Sequence, residues 1–139
     1  MPETSPAANT DTAVLLIAHG SRRAEANEDL VRLRELIGRR RHYRVVEVSY
    51  LEIAEPTIDQ GAARCVARGA QQVLMLPWFL SAGAHVVEDL ERHRRTAAAA
   101  HPGVDFVLCP PLGLHPLLVD VVLARLDEGQ ASLGQHAAS

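Results

Sequence analysis

Four short apolar runs, each followed by a segment of helical character, constrain the fold of this chain more than any other feature. The strand-like runs cover residues 13–18, 43–50, 72–76 and 104–109. The segments between them place apolar residues at helical spacing among charged ones. This alternation with short connections predicts an α/β three-layer sandwich, in which a four-stranded parallel sheet carries helices on both faces.

The helical segments are predicted over residues 23–37, 56–67 and 85–100, with a last helix from residue 115 onward. Pro56 is well suited to the first turn of the second helix, because its missing N–H has no partner there. Gly38 follows the first helical pattern as a stop signal. The third strand is continuously apolar, which predicts cover on both of its faces.

The chain length of 139 residues predicts one domain, over residues 13–128. Residues 1–12 are polar and rich in small residues, so we expect a disordered tail, and residues 129–139 a loose one. No run approaches the roughly 18 apolar residues of a membrane span, and no signal peptide is evident. Cys65 and Cys109 show no CxxC spacing, as expected for two reduced thiols in a cytoplasmic protein.

Charge and motifs exclude several function classes. The formal net charge is -3, and all 14 basic residues are Arg, without the basic excess that nucleic-acid binding requires. No Gly-x-Gly-x-x-Gly or P-loop pattern follows a strand, so we expect no organic cofactor.

Polar and aromatic residues cluster where the predicted strands end. His19 follows the first strand, Glu52 the second, and the segment with His85 the third, all at the edge where open α/β sheets bind ligands. Two neutral imidazoles can hold a divalent transition metal and leave coordination positions open. Glu52, or Glu88 one helical turn after His85, is a candidate to complete the site or to accept protons. The spacing alone leaves a structural hydrogen-bonding role open for each histidine.

Three segments carry a family resemblance: AHGSR at 18–22, Glu52 followed by PTI at 56–58, and LPWFLSAGAHVVEDL at 76–90. In order and spacing they resemble the small class II tetrapyrrole chelatases, the sirohydrochlorin cobaltochelatases and ferrochelatases (CbiX/SirB-like). The resemblance implies a chelatase-like fold and a lyase that inserts a divalent metal into sirohydrochlorin, in cobalamin or siroheme biosynthesis. The metal would be Co²⁺ or Fe²⁺, with Ni²⁺ left open. The short length resembles the form that pairs two chains, which implies a homodimer.

The resemblance also assigns roles to residues. His19 and His85 match the two metal-binding histidines of the family, and Glu88 and Glu52 are the candidate proton acceptors. Sirohydrochlorin is a flat apolar ring edged by carboxylates, so aromatic and aliphatic residues are expected at its faces and donors at its rim. The predicted substrate-binding residues are Ser21, Arg22, Trp78, Leu80 and Leu112. Phe79 is interpreted as a core residue.

Other readings use the same residues. A non-catalytic metal or tetrapyrrole carrier would need the same histidines, and a nickel-specific chelatase the same site. A His-Gly pair after a first strand also occurs in histidine phosphatases, whose phosphoryl-accepting His needs an adjacent Arg. Here Ala18 precedes His19, and no second Arg-His pair matches the phosphatase pattern, which argues against a phosphatase.

Overall fold

The computed structural model describes the backbone of residues 8–138 and the side chains of residues 10–134. Within that part of the chain, four strands alternate with four helices. In chain order they are β1 (Ala8–Ala18), α1 (Ala24–Arg40), β2 (His42–Tyr50), α2 (Ile58–Ala67), β3 (Gln72–Pro77), α3 (Ala84–Ala100), β4 (Asp105–Leu108) and α4 (Pro116–Ala138). The strands form one parallel sheet of order β2-β1-β3-β4. The predicted four-stranded parallel α/β fold is confirmed.

The sheet separates two apolar cores. Successive residues of a strand point to opposite faces, so β1 sends Leu15 and Ile17 to one side and Val14 and Leu16 to the other. The first pair packs with buried residues of α2 and α3. The second pair packs with α1, where Leu30 is the buried helical residue. The layers are therefore α1, the sheet, and α2 with α3.

Both ends of the predicted domain differ from expectation. β1 begins at Ala8, so residues 8–12 of the predicted tail belong to a strand, and residues 1–7 lie outside the described residues. Ala8 pairs with His42 of β2, and the ladder with this neighbour outweighs the polar composition. α4 continues to Ala138 through the predicted loose tail, because an interior glycine such as Gly129 costs a helix only about 1 kcal/mol.

The starts and ends of two helices also shift. α1 passes through Gly38 and ends at Arg40, because a glycine inside a helix costs only about 1 kcal/mol. α2 begins after Thr57 rather than at Pro56, because Thr57 and Gln60 form a reciprocal capping box. The Thr57 hydroxyl accepts a hydrogen bond from Gln60 N–H at 3.2 Å, and the Gln60 side chain accepts one from Thr57 N–H at 2.9 Å.

The prediction that the third strand is covered on both faces is wrong. Val73 and Met75 are fully buried against the α2–α3 side, whereas Leu74 and Leu76 on the α1 side are only half-buried. Leu74 and Leu76 border an open pocket of about 400 Å³ beside α1. α4, the remaining helix, does not close it, since nearly all of its described side chains are exposed. No helix within residues 8–138 combines the length and hydropathy needed to cross a membrane.

Candidate active site

The loops that follow the four strands meet at the carboxyl edge of the sheet, where backbone hydrogen bonds join them. Leu51 N–H, after β2, donates to the Ala18 carbonyl at the end of β1 at 2.8 Å. Trp78 N–H, after β3, donates to another carbonyl of β1 at 2.7 Å. The loop after β4 joins next, because Leu112 N–H donates to the Phe79 carbonyl at 3.0 Å. The loops that bear the predicted site residues are therefore adjacent and support one another.

His19 directly follows β1 and lies exposed at this edge. Its imidazole stacks on the ring of Phe79, with centroids 4.1 Å apart and planes inclined by 17°. Phe79 is only 5% exposed and belongs to the core, which confirms its interpretation as a core residue and gives it a second role. Because stacking uses the face of the imidazole, its two nitrogens stay at the ring edge, where the lone pair of the unprotonated nitrogen can reach a metal.

Gly20 brings the His19 loop into direct contact with the loop after β2. Glu52 N–H donates to the His19 carbonyl at 3.0 Å. Gly20 has φ of +99°, and a Cβ built on it would lie 1.8 Å from the Glu52 carbonyl oxygen. Both the backbone conformation and the contact therefore require glycine at this position. The structure brings the backbones of His19 and Glu52 together, as their shared edge predicted.

Ser21 is held in a tight local network at the start of α1. Its N–H donates to Asn27 Oδ1 at 3.0 Å, and Asn27 Nδ2 donates back to the Ser21 carbonyl at 2.8 Å. The Ser21 hydroxyl accepts a hydrogen bond from Arg23 N–H at 3.1 Å. The buried Tyr50 hydroxyl donates to the Asn27 carbonyl at 2.9 Å, and burial raises the pKa of Tyr50, which keeps this donor protonated. Ser21 thus helps to hold the loop before α1 in place. Its predicted contact with substrate stays a prediction.

Ile53 lies next to Glu52 in an unusual turn. Ala54 N–H donates to the Glu52 carbonyl at 2.8 Å, and Ile53 between them has φ of +72°. A three-residue turn with a central φ of about +75° is the rare and strained form of the γ-turn. A β-branched residue seldom adopts this conformation. The turn leaves the Ile53 side chain 62% exposed beside the His19 loop, where it adds apolar surface.

His85 is the second residue of α3 and is exposed in the first turn of that helix. The loop before α3 starts with Trp78 and Phe79, so one short segment, residues 78–85, carries both the ring under His19 and the second histidine. Glu88 lies one turn farther along α3 and is also exposed. The start of α3 therefore presents an imidazole and, one turn later, a carboxylate, as their spacing predicted.

The described residues hold no cluster of three or more His, Cys, Asp or Glu side chains placed to bind a metal. Neither Glu52 nor Glu88 thus completes a three-ligand site with the histidines within this chain. A site with at most two imidazoles is open and binds less tightly than a closed structural site.

Apolar residues border the same edge. Trp78, 39% exposed, and Leu112 line one pocket of about 410 Å³ together with the start of α4. Leu80, 65% exposed, lines a second pocket of about 630 Å³ against α4. Both volumes lie in the range of small-molecule sites. Arg22 is exposed on the loop between His19 and α1, and its predicted contact with substrate stays a prediction.

Sequence reasoning missed three residues that shape this site. Asn27 and Tyr50 fix the loop after His19, and Ile53 adds exposed apolar surface beside it. The spacing of Asn27, six residues after Ser21, carries no recognisable signal. An isoleucine with positive φ contradicts local propensity, so only the folded structure reveals it.

The comparisons with known proteins agree with this geometry. The sequence profile of the CbiX family matches residues 13–129. The chain is 34% identical over 119 residues to the sirohydrochlorin cobaltochelatase of Priestia megaterium, covering 86% of this chain and 39% of that protein. It is 35% identical over 113 residues to the chloroplastic sirohydrochlorin ferrochelatase of Arabidopsis thaliana, covering 81% of this chain and 50% of that one.

Among solved structures, the chain is similar to the sirohydrochlorin chelatase SirB of Bacillus subtilis subspecies spizizenii in complex with cobalt. The TM-score is 0.78 at 30% identity, covering 85% of this chain and 50% of SirB. The chain thus spans half the length, or less, of these three relatives.

Proposed function

Because this chain belongs to the CbiX family, we propose that it is a lyase that inserts a divalent metal, Co²⁺ or Fe²⁺, into sirohydrochlorin. The observation that carries the proposal is the exposed His19 imidazole, which Phe79 supports from below and which lies at an edge rich in apolar side chains. A metal ligand beside apolar surface fits a substrate that is a flat ring with a central metal site. Cobalt and iron relatives are both among its matches.

In this mechanism His19 and His85 bind the incoming ion weakly, through neutral imidazoles. The ring lies against Trp78, Leu80 and Leu112, while Arg22 and Ser21 meet its carboxylates. Insertion moves the ion from the imidazoles to the pyrrole nitrogens, and two pyrrole protons leave. Glu88 or Glu52, both exposed at the site, accepts those protons. The ligand set accepts Ni²⁺ as well, since imidazole and carboxylate do not select among these metals.

We propose in addition that the protein forms a homodimer. α4 supports this, because its exposed apolar side chains need a partner. A cytoplasmic location is in keeping with Cys65 and Cys109, both free thiols.

The test is anaerobic absorbance spectroscopy of sirohydrochlorin with sub-stoichiometric protein and Co²⁺, Fe²⁺ or Ni²⁺. We expect turnover beyond one equivalent, lost in His19→Ala and in His85→Ala. The matched control is His42→Ala, an exposed histidine at the opposite, amino edge of the sheet. Insertion by a folded His19→Ala/His85→Ala variant at the wild-type rate would refute the mechanism. Binding of one equivalent without faster insertion would identify a carrier instead.

A further inference from the structure

Ile53 has a backbone conformation that its own side chain disfavours. It is the central residue of the γ-turn after β2, which is closed by the hydrogen bond from Ala54 N–H to the Glu52 carbonyl, and its φ is +72°. Glycine and asparagine adopt a positive φ at low cost, whereas a β-branched residue is strained by it. Strained residues persist only where the surrounding structure enforces them, and they cluster at functional sites. The turn is therefore a candidate for a role in the site.

The rest of the loop after β2 holds Ile53 in this turn. Tyr50 N–H donates to the Pro56 carbonyl at 2.9 Å, which closes the loop at its base, and Leu51 N–H donates to a carbonyl of β1 at 2.8 Å. Leu51 also packs against the core on the α2–α3 side of the sheet, and Ala54 against the core on the α1 side. Because both flanks of the turn are anchored, the conformation of Ile53 is fixed by the fold.

The Ile53 side chain adds nothing to the core in return for this strain. It is 62% exposed and belongs to neither apolar cluster of the described chain. A single exposed aliphatic residue is ordinary on a protein surface, but here the exposure is combined with a φ that asparagine or glycine would adopt more easily. An isoleucine at this position therefore lowers the stability of the chain without improving its packing. The compensating gain has to come from a contact outside the fold of the single chain.

The sheet order places the turn of Ile53 and the loop of Trp78 and Leu80 on opposite sides of His19. β1, which ends just before His19, lies between β2 and β3. Neighbouring strands are about 4.8 Å apart, so the loops after β2 and β3 leave the sheet about 10 Å apart. A tetrapyrrole ring with its centre over His19 is wide enough to reach both loops. Ile53 shares its exposure and its apolar character with Trp78 and Leu80.

We propose that Ile53 is a substrate-binding residue that holds the tetrapyrrole ring over His19 from the β2 side. This inference rests on the proposed function and adds a contact to it, opposite the contact of the ring with Trp78 and Leu80. Burial of the exposed isoleucine against the flat apolar ring removes apolar surface from water, and this gain exists only in the complex. The strained turn is retained because it keeps an aliphatic side chain out of the core and available to the substrate.

Substitutions at Ile53 separate substrate binding from folding. Ile53→Gly and Ile53→Asn both relieve the positive φ and remove the aliphatic side chain. Ile53→Val keeps the strain and most of the apolar surface, so it serves as the conservative variant. The matched control is Leu36→Ala: Leu36 is 50% exposed, but it lies near the end of α1, which ends beside the amino edge of the sheet.

Metal-free binding of sirohydrochlorin, followed by absorbance titration, is the main measurement. We expect Ile53→Gly and Ile53→Asn to raise the Kd for the ring several-fold, and Ile53→Val and Leu36→Ala to keep the wild-type Kd. In insertion kinetics the first two variants should raise KM and leave kcat near the wild-type value, because the contact stabilises the bound substrate and the transition state alike. Their Kd for Co²⁺ alone should be unchanged, and their midpoints of urea unfolding should equal or exceed that of the wild type.

A wild-type Kd for the ring in both Ile53→Gly and Ile53→Asn would overturn the proposal and leave the proposed function standing. A clearly lower urea midpoint in both variants would overturn it as well, because Ile53 would then stabilise the fold. A change from dimer to monomer in light scattering would instead assign Ile53 to a contact between copies. If the wild-type chain binds the ring but inserts no metal, only the proposed function fails, and the Kd comparison still decides the role of Ile53. A wild-type chain without affinity for the ring would refute both.

Discussion

Gly20 lies where the His19 loop touches the loop after β2, and replacing it with alanine tests how the site is assembled. A Cβ at this position would lie 1.8 Å from the Glu52 carbonyl oxygen, so the two loops must separate by about 1 Å before the contact is tolerable. In addition, φ of +99° is unfavourable for alanine. The substitution therefore combines a conformational cost with a steric one.

Two other glycines separate these costs. Gly103 has φ of +93° but no atom within 4 Å of a built Cβ, so Gly103→Ala carries the conformational cost alone, about 1–2 kcal/mol. Gly83, two residues before His85, has neither feature, but it is the N-cap of α3, where glycine is preferred to alanine, so Gly83→Ala should lower the free energy of unfolding by about 0.5–1 kcal/mol. Gly20→Ala adds a further 1–3 kcal/mol or so for overpacking.

The rate of metal insertion should fall when the His19 loop is displaced. A displacement of about 1 Å at a catalytic group commonly costs on the order of hundredfold in rate. We therefore expect kcat/KM for metal insertion to fall about hundredfold in Gly20→Ala and to stay near the wild-type value in Gly103→Ala. Urea unfolding followed by circular dichroism gives the free energies, and insertion kinetics the rates. Equal stability and equal activity of Gly20→Ala and Gly103→Ala would refute the reasoning.

Three further substitutions test other parts of the structure. Thr57→Ala removes the cap of α2 and should lower the free energy of unfolding by about 1 kcal/mol in urea titrations, whereas Thr57→Ser should retain it. Phe79→Leu keeps the core apolar but removes the ring under His19, so we expect several-fold weaker Co²⁺ binding in absorbance titrations; an unchanged Kd would contradict a supporting role. Burial raises the pKa of Cys65 to about 12, so the folded state keeps a proton that the unfolded state loses from about pH 9 upward. Stability should therefore fall between about pH 9 and 12, and Cys65→Ala, measured by urea unfolding across this range, should lack that part of the fall.

Much of the fold follows from local patterns. The predicted strand at 72–76 is observed as Gln72–Pro77, and that at 43–50 as His42–Tyr50. These strands could be predicted because a strand buried in a sheet needs a short run of apolar residues, and such a run is visible in the local sequence. The connectivity then places the residues after each strand at one edge, which is why His19 and Glu52 could be expected near each other.

The chain ends and helix limits were less predictable. In the predicted tail, Ala8 and Asn9 pair with β2 and Thr12 pairs with β3, and the helix after Pro116 continues beyond Gly129. In each case a local signal of moderate strength, composition or a single glycine, is outweighed by hydrogen bonds within the strand ladder or the helix.

By itself the sequence determined the order of strands and helices, the parallel sheet and the edge at which His19 and His85 lie, because periodicity and connectivity are properties of neighbouring residues. Only the tertiary structure decided that Phe79 supports the His19 ring, that Gly20 touches Glu52, and that the pocket beside α1 stays open. These features are contacts between segments far apart in the chain. They depend on distances of a few ångströms in the folded protein, which no local pattern encodes.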